Sequence, residues 1–315
     1  MKKFLITGAT GFIGSNLTRG LVRKGYKPTI LARKSSNFWR INDILSKVAV
    51  LETDLDNPSR LLKDLAIIKP NYIYHLASYG INRSKETDIQ QIYRTNIINS
   101  LNLLEALSRI GFEYFINTGS SFEYGLKTKP MNEDDKPEPI DFYSISKLST
   151  TLTAKKFSNK YKLPIVTIRP FMTYGYYEGE HRFVPTIILN GLREKMINLN
   201  NPNHTRDFLF IEDLIDAYLL IPDSKKYFGE IINIGTGKQT TLLQAMKIIS
   251  KLINRKLQVK WNTSSSTATE SPCNIADTKK AKKMLGWKPK HTLEDGLDKT
   301  IQWFKQNENL YNNVG

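Results

Sequence analysis

Three side chains near the middle of the chain have the types and spacing to move a proton at a carbon that bears oxygen. Tyr143 and Lys147 stand four residues apart, so in a helix they share one face. A free tyrosine, with a pKa of about 10, is a poor base at neutral pH. An adjacent ammonium stabilises the phenolate and brings that pKa down. Ser120, just past the apolar stretch Tyr114 to Asn117, is the natural partner to hydrogen-bond the same oxygen and polarise a carbonyl. Hydride addition to a ketone leaves an alkoxide that must be protonated, and alcohol oxidation is the reverse, so the trio suits oxidoreduction. With 15 tyrosines and 46 lysines and arginines, a Tyr and Lys at this spacing arises easily by chance. Its place after Thr118-Gly119-Ser120-Ser121 is what gives it weight.

Such chemistry needs a hydride carrier, and the first residues read as its cradle. Lys3-Phe4-Leu5-Ile6 is apolar without alternation, as in a strand buried on both faces of a parallel sheet, and would be the central one. Then comes Thr7-Gly8-Ala9-Thr10-Gly11-Phe12-Ile13-Gly14. Gly8 permits the tight turn, Gly11 lets backbone approach a pyrophosphate, and Gly14 lets the next helix pack closely, its N-terminal amides facing the anion. Leu17, Leu21 and Val22 recur at helical spacing, Gly25 ends the helix, and a second strand runs from Pro28 to Ala32.

The residues after that strand choose between cofactors. A carboxylate would bind the adenine ribose hydroxyls of NAD and repel a 2'-phosphate. The chain instead reads Leu31-Ala32-Arg33-Lys34-Ser35, which favours NADP, with Arg33 stacking on adenine and pairing with the phosphate and Lys34 assisting. A solvated basic loop would look the same. Asp54, after a third strand at Val48 to Leu51, is either an acceptor for the adenine amino group or a helix cap.

The elements that must position these groups alternate β and α to about Gly235. This predicts an α/β fold with a doubly wound parallel (Rossmann) sheet, made by residues 1–170 plus 208–234, and a smaller substrate domain from 171–207 plus 235–315. Catalysis is expected between them, at the carboxyl ends of the strands. Lys129 to Pro139 reads as a loop before the helix of Tyr143.

Composition narrows the class further. No apolar run is long enough to span a membrane and the first strand begins at once, so a cytoplasmic protein is expected. One cysteine excludes an intrachain disulfide, and four histidines without ligand spacing give no metal site. His75, at a strand end, reads as structural. The net charge of +16 would suit polyanions, but the lysines are dispersed among acids, and no basic-aromatic interleaving suggests a nucleic-acid groove.

The motifs resemble, over nearly the whole chain, the extended short-chain dehydrogenase/reductases that modify nucleotide sugars. They include His75-Leu76-Ala77-Ser78, Arg94-Thr95-Asn96, Ser120 through Tyr124-Gly125, the Tyr143/Lys147 pair, Arg169-Pro170-Phe171, Phe183-Val184-Pro185, Arg206-Asp207-Phe208 and Leu285-Gly286-Trp287. Leu31-Ala32-Arg33-Lys34, Ala77-Ser78-Tyr79-Gly80 and Thr205-Arg206-Asp207-Phe208-Leu209 look closest to reductases of 4-keto-6-deoxyhexoses such as CDP-paratose and CDP-abequose synthases. The resemblance implies Tyr143 as general acid, Lys147 on the nicotinamide ribose, Ser120 on the sugar oxygen, and Asn96 supporting the lysine through a water. It implies cofactor contacts from Gly8, Thr10, Gly11, Phe12, Ile13, Gly14, Leu55, Leu76, Ala77, Ser78 and Arg169. On the substrate side it implies Tyr79, Ser121, Phe171, Thr173, Phe183, Val184 and Arg206, with Arg182 as a weaker candidate, and a homodimer.

Two departures from the family pattern matter. The 4,6-dehydratases carry Asp-Glu directly after the Ser/Thr, where this chain has Ser121 and Phe122, so dehydration is disfavoured although Glu123 follows. Of two diphosphate-binding arginines, Arg206 matches the first, and Thr267 stands at the second. The expectation is NADPH-dependent reduction of the C4 ketone of a nucleotide-linked, favourably CDP-linked, 4-keto-6-deoxyhexose. An NAD-dependent 4-epimerase is the alternative. A non-catalytic dinucleotide-binding regulator should have lost part of the Ser/Tyr/Lys set, which is complete.

Overall fold

The computed structural model describes residues 2–80, 88–223, 227–262 and 271–311. The chain divides into two compact units, one of residues 1–125, 136–170 and 215–232, the other of 126–135, 171–214 and 233–315. Relative to the sequence division, 126–135, 208–214 and 233–234 lie in the second unit. Met131 forms a parallel bridge with Ala276 there, and its amide and carbonyl bond to Ile275 and Asp277.

The first unit carries the expected sheet. Strands β1 (Phe4–Thr7), β2 (Thr29–Ala32), β3 (Ala49–Glu52), β4 (Tyr72–His75), β5 (Tyr114–Thr118) and β6 (Ile165–Pro170) join the strand Ile231–Ile234 in the order Ile231–Ile234, β6, β5, β4, β1, β2, β3. The pairings recorded among β1 to β6 are all parallel. β4 is the middle strand, and β1 lies one place from it. Order reverses between β1 and β4, the switch point at which doubly wound sheets bind ligands.

Buried apolar strands with helices on both faces explain the layering. On one face Leu5, Ile73, Phe115 and Ile165 pack with Leu61 and Leu65 of α2 (Pro58–Ile68), then, beyond the short α3 (Ile89–Tyr93), with Leu103, Leu104 and Leu107 of α4 (Asn99–Ile110) and Ala154 of α5 (Phe142–Tyr161). The other face carries an aromatic row in which Phe4 stacks on Tyr72 and Tyr74. There α1 (Phe12–Arg23) presents Gly20, whose absent side chain leaves room for Ile215.

In the second unit β7 (Met172–Tyr174) pairs in parallel with Phe208–Phe210, and Thr205–Arg206 pairs antiparallel with Thr240–Thr241. Helix α6 (Phe183–Leu192) packs against Leu242–Ile253. Asp207, fully buried, accepts from the amides of Thr236, Gly237 and Ala276, which ties the turn after Arg206 to two other segments. Among the described residues no helix is long and apolar enough to cross a membrane.

Candidate active site

At the start of the first unit the glycine positions behave as the sequence requires. Gly8 has φ +71°, and a Cβ there would lie 2.6 Å from the backbone of Leu76 and Ala77. A Cβ on Gly14 would overlap the Gly8 carbonyl. Helix α1 begins at Phe12, well before Leu17, the first of the helically spaced apolar positions, with Gly11 as its N-cap. Gly11 offers no side-chain cap, so the first-turn amides after it, of Phe12, Ile13 and Gly14, are left for an external anion. The Thr10 carbonyl accepts from Arg40 at 3.3 Å, a residue that carried no motif signal. A pyrophosphate fits this cradle.

Helix α5 carries the candidate pair Tyr143 and Lys147. Asp141 is its N-cap, accepting from the Ser144 amide at 2.7 Å while the Ser144 hydroxyl accepts from the Asp141 amide. Tyr143 therefore stands in the first turn, where the helix dipole favours an anionic side chain. Its ring meets Phe122 edge-on at 6.4 Å between centroids. One turn later Lys147 is only 4 % exposed, and none of the described residues hydrogen-bonds its ammonium. Burial pushes its pKa down to about 8, against the pull of Glu123 in the other direction. An ammonium on a buried side chain, with no hydrogen-bond partner among the described residues, is what a ribose diol would satisfy, so these residues fit a nicotinamide dinucleotide.

Ser120 caps the short helical turn Ser121–Tyr124, its Oγ accepting from the Phe122 amide at 3.2 Å. Its own amide donates to Glu123 Oε1 at 2.7 Å, which also accepts from Thr151 Oγ1 at 3.0 Å. The other carboxylate oxygen of Glu123 pairs with Arg169 through Nε at 2.9 Å and a terminal nitrogen at 2.7 Å. Both side chains are buried, and the Arg169 guanidinium lies over the Tyr124 ring. Arg169, a cofactor candidate by resemblance, thus has its guanidinium engaged by Glu123 and Tyr124. The Ser-x-x-Glu spacing of a capping box was the available signal for Glu123.

Beneath α5 lies a buried polar row. Thr7, His75 and Asn117 are lateral neighbours on β1, β4 and β5, and Thr167 follows on β6. His75 is held between Thr7 Oγ1 and Ser100 Oγ, both at 2.7 Å. Burial, then the nearby Lys147, pushes its pKa down to about 3, so it stays neutral and serves structure. Asn96 lies in a wide-turn helical segment, Arg94–Ile98, of the kind often found at functional sites. Its side chain clamps the backbone of Tyr79 through bonds of 2.8 and 2.9 Å and donates to Ser146, while its carbonyl accepts from Ser100 and Thr150. The side chain thus fixes the loop of Tyr79, an action distinct from the implied water-mediated support of Lys147.

After β2 Arg33 and Lys34 are exposed, and the Arg33 amide donates to Ser36. Asp54 is exposed and caps its own turn by accepting from Asp56, whereas Asn57 caps α2, so the helix-cap alternative for Asp54 does not hold. Leu55 is buried, Leu76 and Ala77 are partly so, and Ser78 is exposed. Of the substrate candidates in the first unit, Ser121 is buried and Tyr79 is 42 % exposed.

In the second unit Phe171, Thr173 and Val184 are buried, and Phe183 is partly buried against Phe208. Arg182 is the N-cap of α6 and lies 3.5 Å from the buried Glu178 carboxylate. Arg206 donates to the Thr205 carbonyl at 2.8 Å. Thr267 lies outside the described residues.

Comparison with known proteins adds the family. The chain is 27 % identical to the UDP-glucuronate 4-epimerase of Thermodesulfobacterium geofontis, over all of this chain and 99 % of that one. Its fold matches the crystal structure of UDP-glucuronic acid 4-epimerase from Bacillus cereus in complex with UDP-glucuronic acid and NAD, with TM-score 0.87, 29 % identity, and 97 % and 99 % of the two chains covered. It likewise matches UDP-glucose 4-epimerase from Thermotoga maritima with UDP-glucose, with TM-score 0.87, 28 % identity and the same coverage. The model of the NAD dependent epimerase/dehydratase family spans residues 4–235, and the chain belongs to that family.

Proposed function

We propose that this protein is a nucleotide-sugar 4-epimerase that inverts C4 of a nucleotide-linked hexose with a nicotinamide dinucleotide held at the glycine turn. One observation carries the reading. Ser120, Tyr143 and Lys147 are complete, while the acid in the Ser120 turn, Glu123, is closed into a buried pair with Arg169. Dehydration needs an acid or base at C5 and C6, and none is available from that turn. Oxidoreduction at C4 needs only the trio. The similarity to UDP-sugar 4-epimerases supports both the substrate class and the inversion.

The bound nicotinamide would take and return hydride at C4. The residues of the chain manage the proton and the geometry. Tyr143 takes the proton from the C4 hydroxyl and gives it back, Ser120 donates a hydrogen bond to the same oxygen, and the Lys147 ammonium stabilises the phenolate. Arg206 serves the substrate diphosphate as a fixed cation, with Arg182 as the weaker candidate. The test is incubation with NAD and no added reductant, offering UDP-glucose and UDP-glucuronic acid. Formation of the 4-epimer supports the reading, and failure with both, together with NADPH oxidation by a CDP- or dTDP-4-keto-6-deoxyhexose, would replace it.

That second reading, an NADPH-dependent C4 reductase, is favoured by one feature, the acid-free Ala32-Arg33-Lys34 at the end of β2. Arg33→Glu decides how much it weighs. If Arg33 pairs with a 2'-phosphate, the substitution weakens NADPH binding by about tenfold or more while leaving NADH within about twofold, measured by protein fluorescence quenching. Equal effects on the two would remove the argument for NADP.

A homodimer in a cytoplasmic setting is part of the proposal. Ile98, Phe142, Ile145 and Leu152, on or beside α4 and α5, are between 37 % and 51 % exposed, an apolar stripe that a second copy would cover. Light scattering on a sizing column should give a dimer for the native chain and a monomer for Ile145→Glu/Leu152→Glu; a native monomer would refute the assignment.

A further inference from the structure

We propose that Glu123, anchored by Arg169, is a positioning residue for Ser120 and Lys147. The inference rests on the assignment of those two residues to the reaction and adds to it what holds them. One Glu123 oxygen receives both the Ser120 amide and Thr151 Oγ1. Thr151 follows Lys147 by one turn of α5, so the carboxylate bridges the Ser120 turn to the face of α5 that carries the lysine. The other oxygen is paired with Arg169. Gly119 has no room for a side chain, since a Cβ would lie 2.6 Å from Glu123 Oε1, 3.0 Å from Thr167 and 3.2 Å from Arg169. The backbone that leads into Ser120 is therefore seated directly on the ion pair.

The arrangement has an electrostatic consequence. Burial alone drives Lys147 toward its neutral form, and the negative charge of Glu123 opposes that. Among the described residues, the other ionisable groups near Lys147 that bear on it are His75, which stays neutral, Tyr143 on its own helix, and Arg169, which is paired with Glu123. Glu123 is then the group that keeps the ammonium charged near neutral pH. A residue that served only packing would not tune the ionisation of its neighbour.

The test follows the dissociation constant of NADH against pH from 6 to 10, by protein fluorescence, which needs no substrate. In the native chain affinity falls as pH rises through about 8, where Lys147 loses its proton. In Glu123→Gln the midpoint falls by about one pH unit, which corresponds to about 1.4 kcal/mol of lost charge–charge interaction. Glu123→Asp, which keeps the charge, returns it toward the native value. Because Glu123→Gln strands a buried Arg169, the pair Glu123→Gln/Arg169→Gln is made alongside. It removes the stranded charge, and its midpoint also lies below the native one. Native midpoints in both folded variants would overturn the inference. Loss of turnover in Tyr143→Phe under the same conditions would show that the catalytic reading survives such a failure; full turnover in Tyr143→Phe would sink the catalytic reading itself.

Discussion

Tyr143→Phe is expected to lower kcat by about a thousandfold, within the range for loss of a positioned acid-base group. KM for the nucleotide sugar should stay within about threefold of the native value, because the hydroxyl acts on the C4 oxygen mainly as charge moves in the transition state. The fold should survive. Tyr143 is buried but lies at the start of α5, and Phe keeps the ring that meets Phe122. Steady-state kinetics with the substrate identified from the UDP-glucose and UDP-glucuronic acid trial, together with a thermal melt, check both halves. A kcat within tenfold of native would assign the proton to another group.

Gly14→Val should abolish NADH and NADPH binding, with at least a hundredfold rise in both dissociation constants. The reason is geometric. Helix α1 can start at Phe12 only if Gly14 passes against the Gly8 carbonyl with no Cβ between them. A branched side chain pushes the helix N-terminus off the turn, and the amides that would hold a pyrophosphate go with it. Gly25→Ala is the matched control. Gly25 has positive φ, at +82°, but nothing lies within 4 Å of a Cβ there. Its substitution costs about 1 kcal/mol of backbone strain and leaves cofactor affinity alone. Fluorescence titration of both variants makes the comparison, and retained binding in Gly14→Val would show that the turn does not carry the cofactor.

Much of the architecture is readable from local chemistry. The unalternating apolar strands, the Gly-x-x-Gly-x-x-Gly turn and the Tyr/Lys spacing are all short-range patterns, and the parallel sheet, the α1 N-terminus and the shared face of Tyr143 and Lys147 follow from them. What escapes is whatever depends on residues far apart meeting. The family resemblance puts Arg169 among the cofactor contacts, whereas its pairing with Glu123, 46 residues earlier, has no local signal. Asn96 is legible as a functional position, but only the wide-turn segment shows that its side chain clamps Tyr79. The choice between Asp54 as ligand and Asp54 as cap turned on Asn57, three residues on, which takes the cap because Pro58 begins the helix.

The finer identity of the reaction rests on the balance between two sequence features. Arg33 without a neighbouring acid favours NADPH and net reduction, whereas the whole-chain similarity to UDP-sugar 4-epimerases favours a redox-neutral inversion. The trio of Ser120, Tyr143 and Lys147 serves either, since both begin or end with a proton on the C4 oxygen.

An isotope experiment separates the two at the reacting carbon. UDP-glucose and UDP-glucuronic acid deuterated at C4 are incubated in turn with the protein and NAD, and the product is read by mass spectrometry and proton NMR. The account predicts the 4-epimer with deuterium still at C4 and no net change in reduced cofactor. Label lost to solvent, or product formed only when NADPH is added and consumed in equal amount, would contradict it.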